Sequence, residues 1–145
     1  HDALPIFINI GVKPFLVASA VQGILAQRLI RRLCPHCKRP YEVTDAELKQ
    51  VGLKREQIAG KTFNEAVGCA KCGGVGYRGR MGVYELLEMN INMREMLFAN
   101  ADGLKLRQGA IENGMAPLQV DGIRKVLAGV TTIEEVLTVT HRDDI

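Results

Sequence analysis

Cys34-Pro-His-Cys37 and Cys69-Ala-Lys-Cys72 hold all four cysteines of the chain, and the reading of these two stretches decides the fold. A two-residue gap lets both thiolates of one tight turn face a single ion. Two such knuckles complete a tetrahedral sulfur shell of the kind zinc takes. The turn chemistry agrees: Pro35 stiffens the first knuckle, and Gly73, Gly74 and Gly76 let the backbone curl around the sulfurs of the second. Cys34, Cys37, Cys69 and Cys72 are therefore the expected ligands of a structural zinc ion. Four thiolates leave no coordination position for water, so the expected role is architectural and not catalytic.

Two other uses of paired cysteines compete. A disulfide framework suits small secreted chains. A chain of 145 residues can bury a core, however, and neither a basic n-region nor a small-residue cleavage site opens it. A redox Cys-x-x-Cys motif follows a strand and opens a helix. This one follows a long apolar stretch of helical spacing and is trailed by Lys38-Arg39-Pro40. The second pair also has no place in that chemistry. A thiol oxidoreductase would require a reactive Cys34 of low pKa.

Composition narrows the classes further. Hydrophobic residues make up 47 % of the chain, enough for a core. A net charge of +3 is too mild to argue for nucleic acid, and with no Trp and 5 % aromatic residues there are few platforms for stacking bases. The alternative of a nucleic-acid-binding zinc ribbon would rest on Arg28, Arg31, Arg32, Lys38, Arg39, Lys71, Arg78 and Arg80, but nucleic acid is not the expected partner. Metal-suited cysteines fit a reducing compartment, so the expected location is cytoplasmic. The longest apolar run, Pro14 to Ala26 between Lys13 and Arg28, is too short to cross a bilayer.

Outward from the knuckles, residues 1–12 read as the end of an element of a larger protein, broken at Gly11. Pro14 suits a first helical position, and Phe15, Leu16, Ala18, Val21, Leu25, Leu29 and Leu33 recur near helical spacing, so a helix is predicted over Pro14–Leu33. Arg28, Arg31 and Arg32 at its end would complement the helix dipole, or meet an acidic surface, a phosphate or anionic lipid. Between the knuckles, Thr44-Asp-Ala-Glu47 is a capping box for a short helix ended by Gly52. A helical turn over 54–58 ends at Gly60, and a short strand over 61–67 leads to the second knuckle.

The glycine-rich run Gly73-Gly-Val-Gly-Tyr-Arg-Gly-Arg-Met-Gly-Val-Tyr-Glu-Leu-Leu87 lacks the Gly-Lys-Ser/Thr of a phosphate loop. It predicts a turn and then a strand over Met81–Glu88 lying back on the knuckle, with Arg78 and Arg80 as candidates for a partner or phosphate. Helices are predicted over Asn92–Ala99, Asp102–Glu112 and Pro117–Ala128. A second capping box, Thr132-Ile-Glu-Glu135, opens a last helix to about Val139. The methionines are read as core, the tail His141–Ile145 as frayed, and His36 as a solvent-facing turn residue beside a site already filled. Asp2, Asp45, Asp102 and Asp121 fall at turns, caps or first helical turns. No nucleophile triad or carboxylate pair stands out, so catalytic residues and nucleotide-binding residues are both read as none.

Read together, these segments resemble a known family. Val17-Ala-Ser-Ala-Val-Gln-Gly-Ile-Leu-Ala-Gln-Arg-Leu-Ile-Arg-Arg-Leu-Cys-Pro-His-Cys37 is similar to the C-terminal region of the type II secretion and type IV pilus assembly ATPases. So are the stretches from Gly68 to Leu87 and from Asp121 to Val136. The resemblance runs from about Gly11 to the C-terminus, and residues 1–8 fit the family pattern poorly. The family's tetracysteine zinc subdomain maps onto Cys34, Cys37, Cys69 and Cys72.

The resemblance implies a parent protein that is a cytoplasmic, hexameric motor of the RecA-like α/β class, peripheral to the bacterial inner membrane. That parent would bind ATP and magnesium and drive an inner-membrane platform protein, and other assembly proteins, to extrude a pilus or pseudopilus. The present chain would be its C-terminal part: the tail of the ATPase core over 1–33, the zinc subdomain over 34–84 and a helical subdomain over 85–145. The expected fold class is mainly α with a small zinc-knuckle β element. The family's phosphate-binding loop and acidic boxes are not in this sequence, so the chain alone is not expected to hydrolyse ATP.

Overall fold

The computed structural model describes residues 3–140. His1, Asp2 and the tail His141–Ile145 lie outside the described residues. The protein is mainly helical with two small antiparallel sheets, and it divides into two compact units.

The first unit takes His1–Ala26 and Glu85–Pro117. Helix α1 (Ala3–Asn9) ends before Gly11, and α2 (Pro14–Ala20) has Pro in its first turn as predicted. Helix α4 (Ile91–Phe98) is capped by the side chain of Asn90, which accepts from the Met93 amide at 3.0 Å. Helix α5 (Gly103–Glu112) is capped by Asp102, which accepts from the Lys105 amide at 2.9 Å. These helices bury Leu4, Val17, Ala18, Met93, Leu97, Leu106 and Ala110 around Leu87 and Met89, so Met93 is core as its spacing predicts. Arg94 ties this cluster to the end of α2 by donating to the carbonyl of Ala18 at 2.7 Å.

The second unit takes Gln27–Tyr84 and Leu118–Ile145. Strand β2 (Arg39–Tyr41) follows the first knuckle and pairs antiparallel with β3 (Phe63–Glu65), with Pro40 opposite Asn64. Between them lie α3 (Asp45–Gln50) and a single 3₁₀ turn, Arg55–Ile58. The predicted capping box of α3 closes: Thr44 Oγ1 accepts from the Glu47 amide, and Glu47 accepts from the Thr44 amide at 2.8 Å. Leu48, Val51, Ile58 and Phe63 from this insert pack with Ile123 and Val126 of α6 (Leu118–Leu127) and Ile133 and Val136 of α7 (Ile133–Thr140).

One predicted element is overturned. The helix expected over Pro14–Leu33 stops at Ala20, Val21 already has extended backbone (φ −75°, ψ 126°), and residues 23–33 form strand β1 (Gly23–Leu33). Strand β1 pairs with β4 (Tyr77–Glu88), the strand predicted from Met81 onward, which starts four residues earlier. Apolar residues spaced for a helix were recruited by sheet pairing, a case of tertiary partners overriding local periodicity. Gly23, a poor helix-interior residue, marks the switch. The dipole role of Arg28, Arg31 and Arg32 falls with the helix. The β content is accordingly larger than a knuckle element alone.

Strand β1 uses both of its edges near the first knuckle. Its partner on one side is β4, and the amide of Cys34 donates to the Gly76 carbonyl at 2.9 Å. On the other side the Leu33 amide donates to the Val130 carbonyl at 2.8 Å, and Thr131 Oγ1 donates to the Arg31 carbonyl at 2.9 Å. The Arg31 amide donates to Glu135 Oε2 at 2.8 Å. Glu135 is therefore spent on β1, and only half of the second predicted capping box forms: its amide reaches Thr132 Oγ1, but its carboxylate does not turn back.

Candidate metal centre

The two knuckles are held by different means. The first sits directly after β1, where a tight turn brings the Cys37 and Lys38 amides onto the Cys34 carbonyl at 3.4 and 3.0 Å. Lys38 then anchors this turn, its ammonium donating to the Gly129 carbonyl at 2.8 Å beyond the C-terminal end of α6. The second knuckle is a 3₁₀ turn, Ala70–Cys72, closed by the Gly74 amide on the Cys69 carbonyl at 2.9 Å. Its entry depends on Gly68, whose φ of +112° and close approach to Gly74 exclude a side chain: a Cβ there would lie 2.6 Å from the Gly74 carbonyl oxygen.

These turns bring the four predicted cysteines together. The sulfurs of Cys34, Cys37, Cys69 and Cys72 all lie within 4.8 Å of one another. Cys34 and Cys69 are 3.9 Å apart, as are Cys37 and Cys72, and Cys69 and Cys72 are 3.8 Å apart. A tetrahedron of sulfurs about 2.3 Å from a central zinc has edges of about 3.8 Å, so the donor set fits that ion. The cysteines are free, with sulfurs nearly twice the length of a disulfide bond apart.

The backbone around the sulfurs is arranged for negative charge. The Gly68 amide points at Cys37 Sγ (3.3 Å), and the amides of Cys69 and Gly76 both point at Cys72 Sγ (3.2 Å each). Donation from the Cys69 amide, against the opposing effect of burial and aided by the Gly76 amide, lowers the Cys72 thiol to about 6. Burial pushes the Cys37 thiol up to about 11, with the Gly68 amide working against it. A thiol readily ionised at Cys72 beside one at Cys37 that resists it is a pair that a cation can complete. His36 is exposed on the first knuckle.

The basic residues of the predicted set separate. Arg31 lies over the Tyr77 ring at 4.1 Å and makes a two-pronged ion pair with Glu135, at 2.9 Å through Nε and 2.7 Å through Nη2. Arg39 pairs with Glu65 at 2.6 Å across β2 and β3. Lys38 is held as described. Arg32, Lys71, Arg78 and Arg80 are exposed. The Arg31–Glu135 pair was missed in sequence because Glu135 was assigned to a cap. The one available signal, a glutamate followed by an apolar helix, does not reveal a partner 104 residues away.

A mixed helical chain whose two Cys-x-x-Cys turns meet in one cluster defines a tetracysteine module positioned to hold a metal ion. Residues 1–138 match the family described as Type II/IV secretion system protein, and the chain belongs to that family. The match begins before Gly11, where the sequence resemblance was placed. The chain is 42 % identical over 137 residues to a type IV pilus assembly ATPase PilB of Myxococcus xanthus, covering 94 % of this chain and 24 % of that protein. It is 41 % identical over 141 residues to a type II secretion system protein E of Pseudomonas aeruginosa, covering 97 % and 28 %. A PilB of Thermus thermophilus is 39 % identical over 132 residues, covering 91 % and 15 %. The chain thus spans between 15 % and 28 % of the length of these curated relatives. No described helix is long and apolar enough to cross a membrane.

Proposed function

We propose that this chain is the C-terminal, zinc-stapled module of an ATPase that powers type IV pilus assembly or type II protein secretion. In this reading Cys34, Cys37, Cys69 and Cys72 hold one structural zinc ion, and residues 34–84 form the subdomain it organises. Residues 1–33 belong to the tail of the RecA-like core, and residues 85–145 form the helical part. ATP and magnesium bind elsewhere in the parent, which works as a cytoplasmic hexamer against an inner-membrane platform protein.

The observation that carries the metal reading is that four sulfurs lie within 4.8 Å of one another, three of their spacings being 3.8–3.9 Å, the edge of a zinc tetrahedron. The parent's role is supported by relatives named for pilus assembly and secretion. The metal does for this module what a larger core would otherwise do. It fixes two loops separated by 31 residues of insert, and in small metal domains binding energy becomes folding energy. Native mass spectrometry with and without a chelator, with circular dichroism alongside, tests the staple. One zinc per chain and loss of ordered structure on its removal is the expected result. A folded, metal-free chain, or a Cys34→Ser or Cys69→Ser variant with native melting and intact zinc binding, would refute it.

A further inference from the structure

Strand β3 turns its two sides to different surroundings. Side chains alternate along a strand, so Phe63 enters the core of the second unit and Asn64 faces the opposite way. Asn64 is 9 % exposed, and its side-chain amide makes no hydrogen bond with any described residue. Every fully buried side-chain nitrogen or oxygen among the described residues has a partner. The Asn64 amide is therefore not sealed in protein. It looks into a cavity of about 250 Å³ that it lines together with Tyr41, Glu47, Glu65, Tyr77 and Glu134. A largely buried amide with its oxygen and nitrogen both unspent lacks the polar partner that such groups take.

The cavity is negative. Its lining holds three carboxylates and no lysine or arginine. Burial, and then Glu135 and Glu134, push the Tyr77 phenol up against the opposing Thr132 hydroxyl and Arg31. Burial and then Glu47 push the Tyr41 phenol up. Two of the carboxylates are already engaged, Glu47 by Thr44 and Tyr41, and Glu65 by Arg39. Glu134 is exposed, and no described residue bonds its carboxylate. The nearby cations are spent, Lys38 on the Gly129 carbonyl and Arg31 on Glu135. One open carboxylate, one amide and two phenol rings suit an organic cation. They are too few oxygens for magnesium or calcium, which take about six to eight.

We propose that this cavity receives the charged end of a lysine or arginine side chain from a partner protein, with Glu134 and Asn64 as its acceptors. At about 250 Å³ it falls below the size of sites for drug-sized ligands, about 300–1,000 Å³, and suits a single side chain. The adjoining surface favours a peptide over a free amine. A second opening, of about 480 Å³, shares Glu47, Ile133 and Glu134 with the first and adds Gln50 and Leu137. A basic side chain in the first opening therefore leaves room for an apolar neighbour over Leu137 in the second. The site does not rest on the metal reading, because β3, α3 and α7 place its residues.

The test uses the whole 145-residue chain, purified with its metal, in 150 mM salt. The probes are the capped tripeptides Leu-Lys-Leu and Leu-norleucine-Leu, 1,5-diaminopentane and calcium chloride, each followed by NMR shifts of residues 64–66 and 133–134. Saturable binding of the lysine peptide is expected, tenfold or more tighter than that of the norleucine peptide, which lacks only the ammonium. Glu134→Gln should weaken it threefold or more, and Asn64→Leu likewise. Glu56→Gln, an exposed change in the 3₁₀ turn of the insert, should leave it unchanged. If Asn64→Leu loses its metal or its circular dichroism, Glu134→Gln decides alone. The proposal is overturned if the lysine peptide does not bind, if the two peptides bind equally, or if Glu56→Gln weakens binding as much as Glu134→Gln. It is also overturned if the diamine or calcium binds as tightly as the lysine peptide, which would assign the cavity to a free amine or a metal ion.

Discussion

Replacing Gly68 with alanine should weaken the metal site about a hundredfold. The residue has a φ of +112°, a region that costs a side-chain-bearing residue about 1–3 kcal/mol. The new methyl would also stand 2.6 Å from the Gly74 carbonyl oxygen and 3.0 Å from its carbon, both backbone atoms of the same knuckle. They cannot rotate away as a flexible side chain would, so the turn must open and carry the Gly68 amide off Cys37 Sγ. Strain and displacement together come to about 3 kcal/mol, and at about 1.4 kcal/mol per factor of ten this is roughly a hundredfold in affinity. Gly73→Ala is the matched control. It has φ +66° but nothing within 4 Å of the added carbon, so it should cost about 1 kcal/mol and at most tenfold. Competition against a chromophoric zinc chelator at pH 7 reads both. A difference of less than threefold between the two variants would refute the reasoning, because it would mean that the close contact carries no weight.

Three further outcomes follow from the packing. Glu135→Ala should cost about 2 kcal/mol in chemical denaturation, mostly from the Arg31 amide left without its acceptor; the half-exposed Arg31 guanidinium contributes little. Leu97→Ala, at a fully buried position of the first unit, should cost about 2–5 kcal/mol, seen as faster amide exchange in α4 and α5. The Thr44 amide first, then against burial the Thr44 and Tyr41 hydroxyls, hold the Glu47 carboxyl below the usual carboxylate range. A depressed carboxylate stabilises above its unfolded pKa of about 4.3 and loses that contribution only as pH falls through the folded value. The stability gap between the wild type and Glu47→Gln should therefore be the same at pH 7 and pH 5, and a gap that shrinks over that interval would contradict the assignment.

The sequence disclosed the cluster more fully than the scaffold around it. Cysteine spacing is a local property that survives folding, and so are caps. Thr44, Asn90 and Asp102 each bond an amide three residues on, a reach the chain sets before any tertiary contact forms. Strand β1 was hidden because Leu25, Leu29 and Leu33 satisfy a helical period as well as they satisfy a sheet whose partner is some fifty residues away. A greater distance, 104 residues, hid Glu135, whose neighbours in sequence say cap and whose neighbour in space is Arg31. Arg78 and Arg80 were legible as exposed candidates, but the approach of Arg32 to Gly79 was not, because its stem comes from the other strand.

The knuckle end of β1, where the flank away from β4 is occupied at Arg31 and Leu33, bears on how the protein behaves in company. A strand with one row of unpaired amides is a template on which a second chain can add. Here the Arg31 and Leu33 amides are occupied by Glu135 and Val130 of the same chain. The carboxylate at that flank also sets a negative charge where an incoming backbone would have to lie. Loss of Glu135 would then be felt in solubility as well as in folding. At high concentration the freed flank would nucleate intermolecular sheet, and the variant would precipitate at temperatures where the native chain is still folded.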